Sequence, residues 1–463
     1  MPLSAHQTRN PARPGLSLAL RGALASLLVG AAAFSGACGK REPAGPTAAP
    51  HVLRVSQRNE PATLDPQRAT LPDEFFIIRA IGEGLLVPNP DGGAPLPGVA
   101  ESWTVSADGL TYAFRLRATA KWSTGADVTA EDFAATIRRA LTPATAAPKA
   151  ALFFPIRGAR EMYQGKGETT PLGVAMPDLR TLVITLAQPT ADFPAIVASG
   201  PWIPRPPTKD ASNGPFVLAE WKPNQHIAVR RNPLYWDAAA VKLDGIRFLA
   251  FDSGDTEERA FRAGQVDVTM SVPTTKLLTY RTEQPALLRS VPLHETRYLA
   301  VNVTRPPLND PRVRRALALA IDRTALVEKV VHSGRPAFNF VPPGLGGFVP
   351  GPGLKEDTSE ARRLLAEAGF PEGRGFPRIE LATWPVSSAQ LEAIQQMWKH
   401  ELGIDVAVVQ REARTHLASL AAGDYTLAYM TAIPDYDGAS DLFTPLTSPH
   451  PLNYPHWHDP AFD

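Results

Sequence analysis

The stretch RIELATWPVSSAQLEAIQQMWKHELGIDVAVV, residues 378–409, decides the fold class of this chain. It opens with the short, mainly apolar run RIELATW, which is typical of a strand. Ser387, followed three residues later by Gln390, forms a capping-box pattern that starts a helix, and Gly403 ends that helix before a second strand, IDVAVV. A strand, a helix and a strand in this order predict a right-handed parallel crossover, so the chain is of the α/β class.

Two further helix patterns lie upstream of this unit. Asp310 can cap a helix that has Pro311 in its first turn, and apolar residues recur at helical spacing from there to Ile321. Another helix begins near Asp357 and meets Gly369 as its stop. Both helices are expected to pack by one apolar face.

Nearer the N-terminus, a strand pattern is followed by a helix start. TYAFRLR, residues 111–117, places Tyr112, Phe114 and Leu116 on one face, the period of two of a half-buried strand. TAED, residues 129–132, is a capping-box pattern that opens the next helix.

Composition sets the broad class. Hydrophobic residues make up 44% of the 463 residues and charged residues 20%, values typical of a globular protein with room for two or three domains. No basic stripe interleaved with aromatic residues occurs, so nucleic acid is not an expected partner. The sequence also lacks a nucleophile motif and a phosphate loop, so we expect neither an enzyme nor a cofactor.

The first 38 residues have the pattern of an export leader. Three arginines and no acidic residue precede the apolar stretch 22–34, which at about 13 residues is too short to span a bilayer. Cys38, the single cysteine, resembles the acylated cysteine of a bacterial lipobox. We therefore expect an exported protein, in the periplasm or at the cell surface, held at the membrane by a lipid on Cys38 and a tether over 39–50. An ordinary leader with an incidental cysteine is the alternative.

Four longer segments resemble the bacterial extracellular solute-binding proteins of family 5, which serve peptide ABC importers. Their order and spacing are similar to those of periplasmic oligopeptide-binding proteins, over residues 53–463. The segments begin GVAESW, NGPFVL, YLAVNV and ARRLLA and cover residues 98–133, 213–237, 298–327 and 361–377.

This resemblance implies a two-lobed fold of the type II periplasmic-binding-protein class, α/β with mixed sheets and an extra subdomain. By that comparison the first lobe comprises residues 51–93 and 213–304, the extra subdomain residues 94–212, and the second lobe residues 305–463. The family implies that the lobes close over a peptide in the cleft between them and deliver it to the transmembrane subunits of a permease. A monomer is expected.

The resemblance also implies a ligand site. IPDYDGASDLF, residues 433–443, matches an acidic-tyrosine stretch in which a carboxylate, here Asp435, pairs with the α-ammonium of the peptide. A buried ammonium needs such a partner, because an unpaired charge in a closed cleft is costly. Tyr436 and Asp437 are expected on the same wall. The alternative for Asp435 is a turn aspartate that binds its own backbone.

Other expected contacts are less well matched. Phe153 and Phe154 lie near an aromatic ligand contact of the family, although such a pair is also typical of a core. Thr70 stands in an early loop where relatives often carry a glutamate of the amine pocket, and Ala413 and Tyr429 replace other pocket residues. A non-peptide solute, such as a metal chelate, haem or a small oligosaccharide, and a lipid-anchored sensor are therefore the alternatives.

The last residues suggest two further expectations. NYPHWHDPAFD, residues 453–463, matches a segment that further helices follow in relatives, so we expect either an incomplete sequence or a protein truncated at its C-terminus. His450, His456, His458 and Asp459 could offer metal ligands, but His456 and His458 are two residues apart in a loop with prolines and lack the i,i+4 spacing of a helical zinc site. No metal site is expected.

Overall fold

The computed structural model describes residues 51–57, 60–166, 170–251, 253–384, 388–448, 450 and 452–463. The strands are β1 Val52–Gln57, β2 Leu86–Val87, β3 Leu96–Pro97, β4 Ala100–Val105, β5 Thr111–Leu116, β6 Val174–Asp178, β7 Thr181–Thr185, β8 Phe216–Lys222, β9 His226–Arg231, β10 Gly245–Ala250, β11 Thr296–Val301, β12 Ile379–Thr383, β13 Val406–Gln410 and β14 Leu427–Ala432. The α-helices are α1 Pro72–Ile81, α2 Ala130–Leu141, α3 Ala159–Tyr163, α4 Phe193–Val197, α5 Gly254–Arg262, α6 Thr274–Glu283, α7 Pro311–Leu319, α8 Arg323–Ala325, α9 Thr358–Glu367, α10 Ser388–Leu402, α11 Ala413–Ala421 and α12 Ser440–Phe443.

Sheet I has the strand order β1-β10-β9-β8. β1 is parallel to β10, and the other two pairs are antiparallel. Alternation along β9 directs Ile227 and Val229 into a cluster with Phe248 of β10 and Ile77 of α1. Burying each such side chain contributes about 1.5–3 kcal/mol, so this cluster holds α1 against the sheet.

Sheet II has the order β11-β14-β12-β13. β12 is parallel to both of its neighbours, β14 and β13, and β11 is antiparallel to β14. The predicted strand, helix and parallel strand over residues 378–409 are confirmed as β12, α10 and β13. Both faces of the sheet are covered, because Leu427 belongs to one apolar cluster and Ala428 to another. The predicted cap Ser387 lies outside the described residues.

Sheet III has the order β4-β5-β7-β6 and is antiparallel throughout. The predicted alternation in β5 is confirmed, since Tyr112, Phe114 and Leu116 are all buried. The predicted capping box is also present: the Asp132 carboxylate accepts the backbone N–H of Thr129 at 2.7 Å at the start of α2.

The two other predicted helices form as α7 and α9. Asp310 caps α7 by accepting the backbone N–H of Arg312 at 2.8 Å, and Asp357 caps α9 by accepting that of Glu360 at 2.9 Å. Gly369, which follows α9, has a φ of +96°, a left-handed conformation that glycine adopts readily. The two helices pack in the cluster on one face of sheet II.

The chain segments that lead into and out of sheet III are joined to each other. The backbone N–H of Glu83 donates to Asn213 Oδ1 at 3.0 Å, and Asn213 Nδ2 donates to the carbonyl of Glu83 at 2.8 Å. A Cβ at Gly214 would lie 2.6 Å from the backbone nitrogen of Gly82, so only glycine allows this approach. We call this pair of segments, residues 82–84 and 212–214, the neck.

Strand β11 alters one predicted boundary. It pairs with β14 along its whole length, from Thr296 opposite Ala432 to Val301 opposite Leu427. Because β11 is hydrogen-bonded into sheet II and not into sheet I, the boundary between the first and second lobes, predicted after residue 304, lies before Thr296 by this pairing.

Candidate functional site

The predicted acidic segment follows the last strand of sheet II. Pro434 comes two residues after β14 ends, and a proline cannot donate a ladder hydrogen bond. The loop then folds back on itself, because the backbone N–H of Asp435 donates to Asp441 Oδ2 at 2.6 Å. This hydrogen bond holds the carboxylates of Asp435 and Asp441 next to each other.

Asp435 forms an ion pair with a residue far away in the sequence. Lys149 Nζ donates to Asp435 Oδ1, with 21% of the lysine side chain and 33% of the aspartate side chain exposed. Lys149 directly precedes a 3-10 turn, Ala150–Phe153, and its ammonium also lies 6.0 Å from the centre of the Phe75 ring. The ion pair links the part of the chain around sheet III to the loop of sheet II.

The next two residues of the loop are also held in place. Asp437 Oδ1 accepts the backbone N–H of Gly346 at 2.7 Å, and its Oδ2 accepts that of Gly93 at 3.3 Å. The hydroxyl groups of Tyr436 and Ser440 are 2.9 Å apart, and burial raises the pKa of Tyr436. Each side chain of this wall therefore has a defined partner.

The carboxylates around Lys149 influence one another. Burial, reinforced by the neighbouring charge of Asp435, raises the pKa of Asp441 to about 7, while the Asp435 backbone N–H and Lys149 oppose the increase. Asp192 adds a further, weaker repulsion. Asp441 thus has a carboxyl group that changes its charge near neutral pH.

A cavity of about 300 Å³ lies beside this loop. Arg79 of α1 borders it, and its guanidinium has no hydrogen-bond or ion-pair partner within the described ranges. Arg79 is exposed at the edge of the cavity, and the protein around it lowers its pKa, although Asp435 opposes that change. The lining residues are Arg79, Pro88, Asn89, Gly93, Pro95, Ala195, Ala198, Ser199, Pro292, Leu293, His294, Leu345, Ile433, Pro434, Asp435, Tyr436 and Asp437.

The predicted residues Asp435, Tyr436 and Asp437 therefore meet at one cavity, whereas three others lie elsewhere. Phe153 is 1% exposed and stacks on Trp202 with ring centres 4.6 Å apart, so it is a core residue in this structure. Phe154 packs against Tyr163.

Thr70 is also away from the cavity lining. Its backbone N–H donates to Glu74 Oε2 at 2.7 Å, so it contributes to the turn that begins α1. Thr70, Phe153 and Phe154 are thus not among the residues that line this cavity, and their contact with a ligand stays a prediction.

Sequence reasoning missed Lys149, Arg79 and Asp441. Lys149 is the single charged residue between Arg139 and Arg157, and Arg79 is the single basic residue of α1. An isolated cation in an apolar segment was the available signal for both. Asp441 lies in the predicted segment itself but carries no feature that separates it from the other aspartates.

A second, smaller cavity of about 130 Å³ lies near the start of β14. Its charged groups already pair with one another: Arg411 lies 3.3 Å from Glu380, and Arg305 lies 3.9 Å from Asp424. The larger cavity is the stronger candidate because it has a cation without such a pair.

The C-terminal histidines take separate partners. His450 Nδ1 accepts the backbone N–H of Leu452 at 3.1 Å, and His458 contacts Ser448. Among the described residues, no group of three or more histidine, cysteine, aspartate or glutamate side chains is arranged to hold a metal ion.

None of the helices in the described part of the chain is both long and apolar enough to cross a bilayer. Cys38, the predicted lipid attachment site, lies outside the described residues.

Comparison with known proteins identifies the family. The model of the bacterial extracellular solute-binding proteins, family 5, matches residues 94–453. The chain is 33% identical to the probable deoxycholate-binding periplasmic protein YgiS of Escherichia coli K12, over 90% of this chain and 82% of that protein. It is 32% identical to the periplasmic oligopeptide-binding protein OppA of the same organism, over 96% and 86%.

Solved structures agree with this assignment. The murein tripeptide-binding protein MppA of Escherichia coli superposes with a TM-score of 0.78 at 32% identity, covering 89% of this chain and 85% of that one. Haemophilus influenzae OppA in complex with RPPGFSPFR gives a TM-score of 0.75 at 27% identity, with coverage of 89% and 85%. The predicted α/β fold of the type II periplasmic-binding-protein class is confirmed. This chain belongs to the bacterial extracellular solute-binding proteins, family 5.

Proposed function

We propose that this protein is the extracytoplasmic solute-binding component of an ABC importer and that it captures peptides in the cavity beside Asp435. The names of its relatives OppA and MppA, an oligopeptide binder and a murein peptide binder, support peptide as the ligand class. The observation that carries the proposal is the position of the Asp435 carboxylate at the wall of a cavity of about 300 Å³.

The groups around the cavity suit the two kinds of polar group in a peptide. Asp435 offers a carboxylate to an α-ammonium, and charge-assisted hydrogen bonds of this kind are among the strongest in proteins. Arg79 and His294 line the same cavity and can donate to peptide carbonyl or carboxylate oxygens. The volume is at the lower end of the range for ligand sites, about 300–1,000 Å³, which favours short peptides.

The remaining roles follow from the same proposal. After export, a lipid on Cys38 holds the protein at the membrane, and the ligand-loaded protein, as a monomer, delivers its peptide to the transmembrane subunits of the permease. Capture and delivery need no bond to be made or broken in the peptide, so the proposed role is not enzymatic.

Calorimetry with a matched pair of peptides tests this function. Trialanine should bind, N-acetyltrialanine should bind more weakly, and Asp435→Asn should weaken trialanine binding by at least about tenfold, because the variant removes the charge that faces the ammonium. Asp424→Asn is the control, because the Asp424 side chain is 87% exposed and lies at the other cavity. Failure of both peptides to bind a folded protein would contradict the proposal.

A second candidate ligand is an amphipathic carboxylate. The relative YgiS is a probable deoxycholate-binding protein, and the cavity combines Arg79 with the apolar side chains of Leu293 and Ile433. Deoxycholate should therefore be titrated alongside the peptides. Binding of deoxycholate without binding of either peptide would favour this second candidate.

A further inference from the structure

The ammonium position at Asp435 already holds an ammonium group. Lys149 Nζ donates to Asp435 Oδ1, so a side chain of the protein makes the contact proposed for the ligand. A lysine ammonium and a peptide α-ammonium carry the same charge and are both hydrogen-bond donors. The ion pair therefore places an internal competitor at the ligand site.

The surroundings of Lys149 keep this competitor in place. Lys149 comes directly before the 3-10 turn Ala150–Phe153, in which Ala150, Leu152 and Phe153 are buried. This burial anchors the backbone, so the ammonium remains at a high local concentration near Asp435. The side chain itself is partly exposed, at 21%, and so has a route to leave the carboxylate.

We propose that Lys149 occupies the ammonium-binding position of Asp435 and that a ligand must displace it, which makes Lys149 a specificity-determining residue of the site. This inference rests on the proposed function. The ligand carries a free ammonium group that replaces the ammonium of Lys149 at Asp435. Lys149 therefore lowers the affinity of the protein for every ligand that binds in this way.

Like charges explain why displacement is required. A ligand ammonium at Asp435 would lie beside both Lys149 and Arg79, because Arg79 is also within electrostatic reach of Asp435. Cations that share one carboxylate repel each other, and the repulsion is stronger in a partly desolvated cavity than in water. One cation must leave, and Lys149 is the group in direct contact with the carboxylate.

A second carboxylate is available for the displaced lysine. Asp441 Oδ2 accepts the backbone N–H of Asp435 at 2.6 Å, so it lies directly beside the ion pair. The charged and titratable groups that act on Asp441 are Asp435, Lys149 and Asp192, and Tyr436 lies in the same cluster. Transfer of Lys149 from Asp435 to Asp441 would keep the lysine paired while the ligand occupies Asp435.

Population arithmetic gives the size of the effect. The apparent dissociation constant of a ligand equals its intrinsic value divided by the fraction of protein in the binding-competent state. If Lys149 holds Asp435 about 90% of the time, removing the lysine charge strengthens binding about tenfold. A ligand without an ammonium does not compete with Lys149 and should show no such gain.

The test compares Lys149→Met with Lys121→Met. Lys121 forms an ion pair with Asp127 at 2.6 Å, also near sheet III but away from the cavity, so it controls for the loss of a lysine charge. By calorimetry, Lys149→Met should bind trialanine about tenfold more tightly than the unaltered protein, N-acetyltrialanine affinity should not change, and Lys121→Met should match the unaltered protein for both peptides.

The outcomes separate this inference from the proposed function. If trialanine binds the unaltered protein but binds Lys149→Met equally or more weakly, the inference is overturned and peptide capture stands. If neither peptide binds any of the folded variants, the proposed function is overturned and the inference with it. Lys149→Arg preserves the positive charge and should keep the weaker affinity, and a gain as large as that of Lys149→Met would overturn the inference as well.

Discussion

The hydroxyl of Ser440 donates a hydrogen bond of 2.5 Å to Asp192 Oδ2, although 248 positions separate the two residues in the sequence. Ser440 begins α12 in the loop after sheet II, and Asp192 precedes α4 in the part of the chain around sheet III. Together with the Lys149 and Asp435 ion pair, this hydrogen bond makes a two-point connection between the same two regions.

Ser440→Ala should destabilise the protein by about 1–2 kcal/mol, because it leaves the partly buried Asp192 carboxylate without its donor. Chemical unfolding monitored by circular dichroism measures the change. Ser106→Ala is the matched control, since Ser106 also contacts an aspartate, Asp108, but in an exposed turn. An equal decrease in the free energy of unfolding of the two variants would show that the Ser440 contact contributes no more to stability than a contact in an exposed turn.

Asp441 should make stability depend on pH. Its pKa is about 7 in the folded protein, compared with 3.8 ordinarily. Between these values the folded state holds a proton that the unfolded state has released, so stability falls as pH rises from about 4 to about 7. Asp441→Asn removes this contribution, and we expect it to gain on the order of 1–3 kcal/mol relative to the unaltered protein over that interval.

Unfolding curves at several pH values between about 4 and 8 test this expectation. The difference in the free energy of unfolding between the two proteins should change with pH through the titration of Asp441. Parallel pH profiles would mean that Asp441 is not protonated near neutral pH.

Phe153→Ala should cost about 3–5 kcal/mol of folding stability, the usual range for truncating a fully buried phenylalanine. Phe154→Ala should cost less, because Phe154 is only partly buried beside Tyr163. Thermal unfolding and trialanine calorimetry distinguish a core role from ligand contact. A stable Phe153→Ala variant with much weaker peptide affinity would restore the residue to the binding site.

Cys38→Ser should prevent acylation and so yield a protein that is no longer anchored by lipid. Membrane fractionation and metabolic labelling with a fatty acid provide the measurements. The unaltered protein should carry the label and sediment with membranes. A labelled or still lipid-anchored Cys38→Ser variant would refute the assignment.

Local sequence patterns predicted the helices and strands well where residues close together in the sequence determine the structure. The Thr129 and Asp132 capping box and the alternation of Tyr112, Phe114 and Leu116 each depend on residues a few positions apart. Strand β11 shows the limit of such reasoning, because its sheet is decided by pairing with β14, more than a hundred residues later. Strand propensity does not specify the partner.

In the candidate site, too, the sequence predicted what depends on neighbouring residues and missed what depends on residues far apart in the chain. The acidic segment pointed to Asp435, Tyr436 and Asp437, which do border one cavity. The contact between Lys149 and Asp435 spans 286 positions and depends on the complete fold. The sequence therefore drew attention to Phe153, at the end of the 3-10 turn. The residue that contacts Asp435 is Lys149, four positions earlier.

The neck determines how residues 84–212 connect to sheet I. Glu83 and Asn213 are hydrogen-bonded to each other, so everything between them enters and leaves sheet I at a single point. An insertion whose ends meet can grow, shrink or be exchanged without moving the strands that carry it. Residues 84–212 can therefore change in length without shifting the strands of sheet I, whereas the ion pairs of Lys149 with Asp435 and of Arg139 with Asp65 need residues on both sides of the neck.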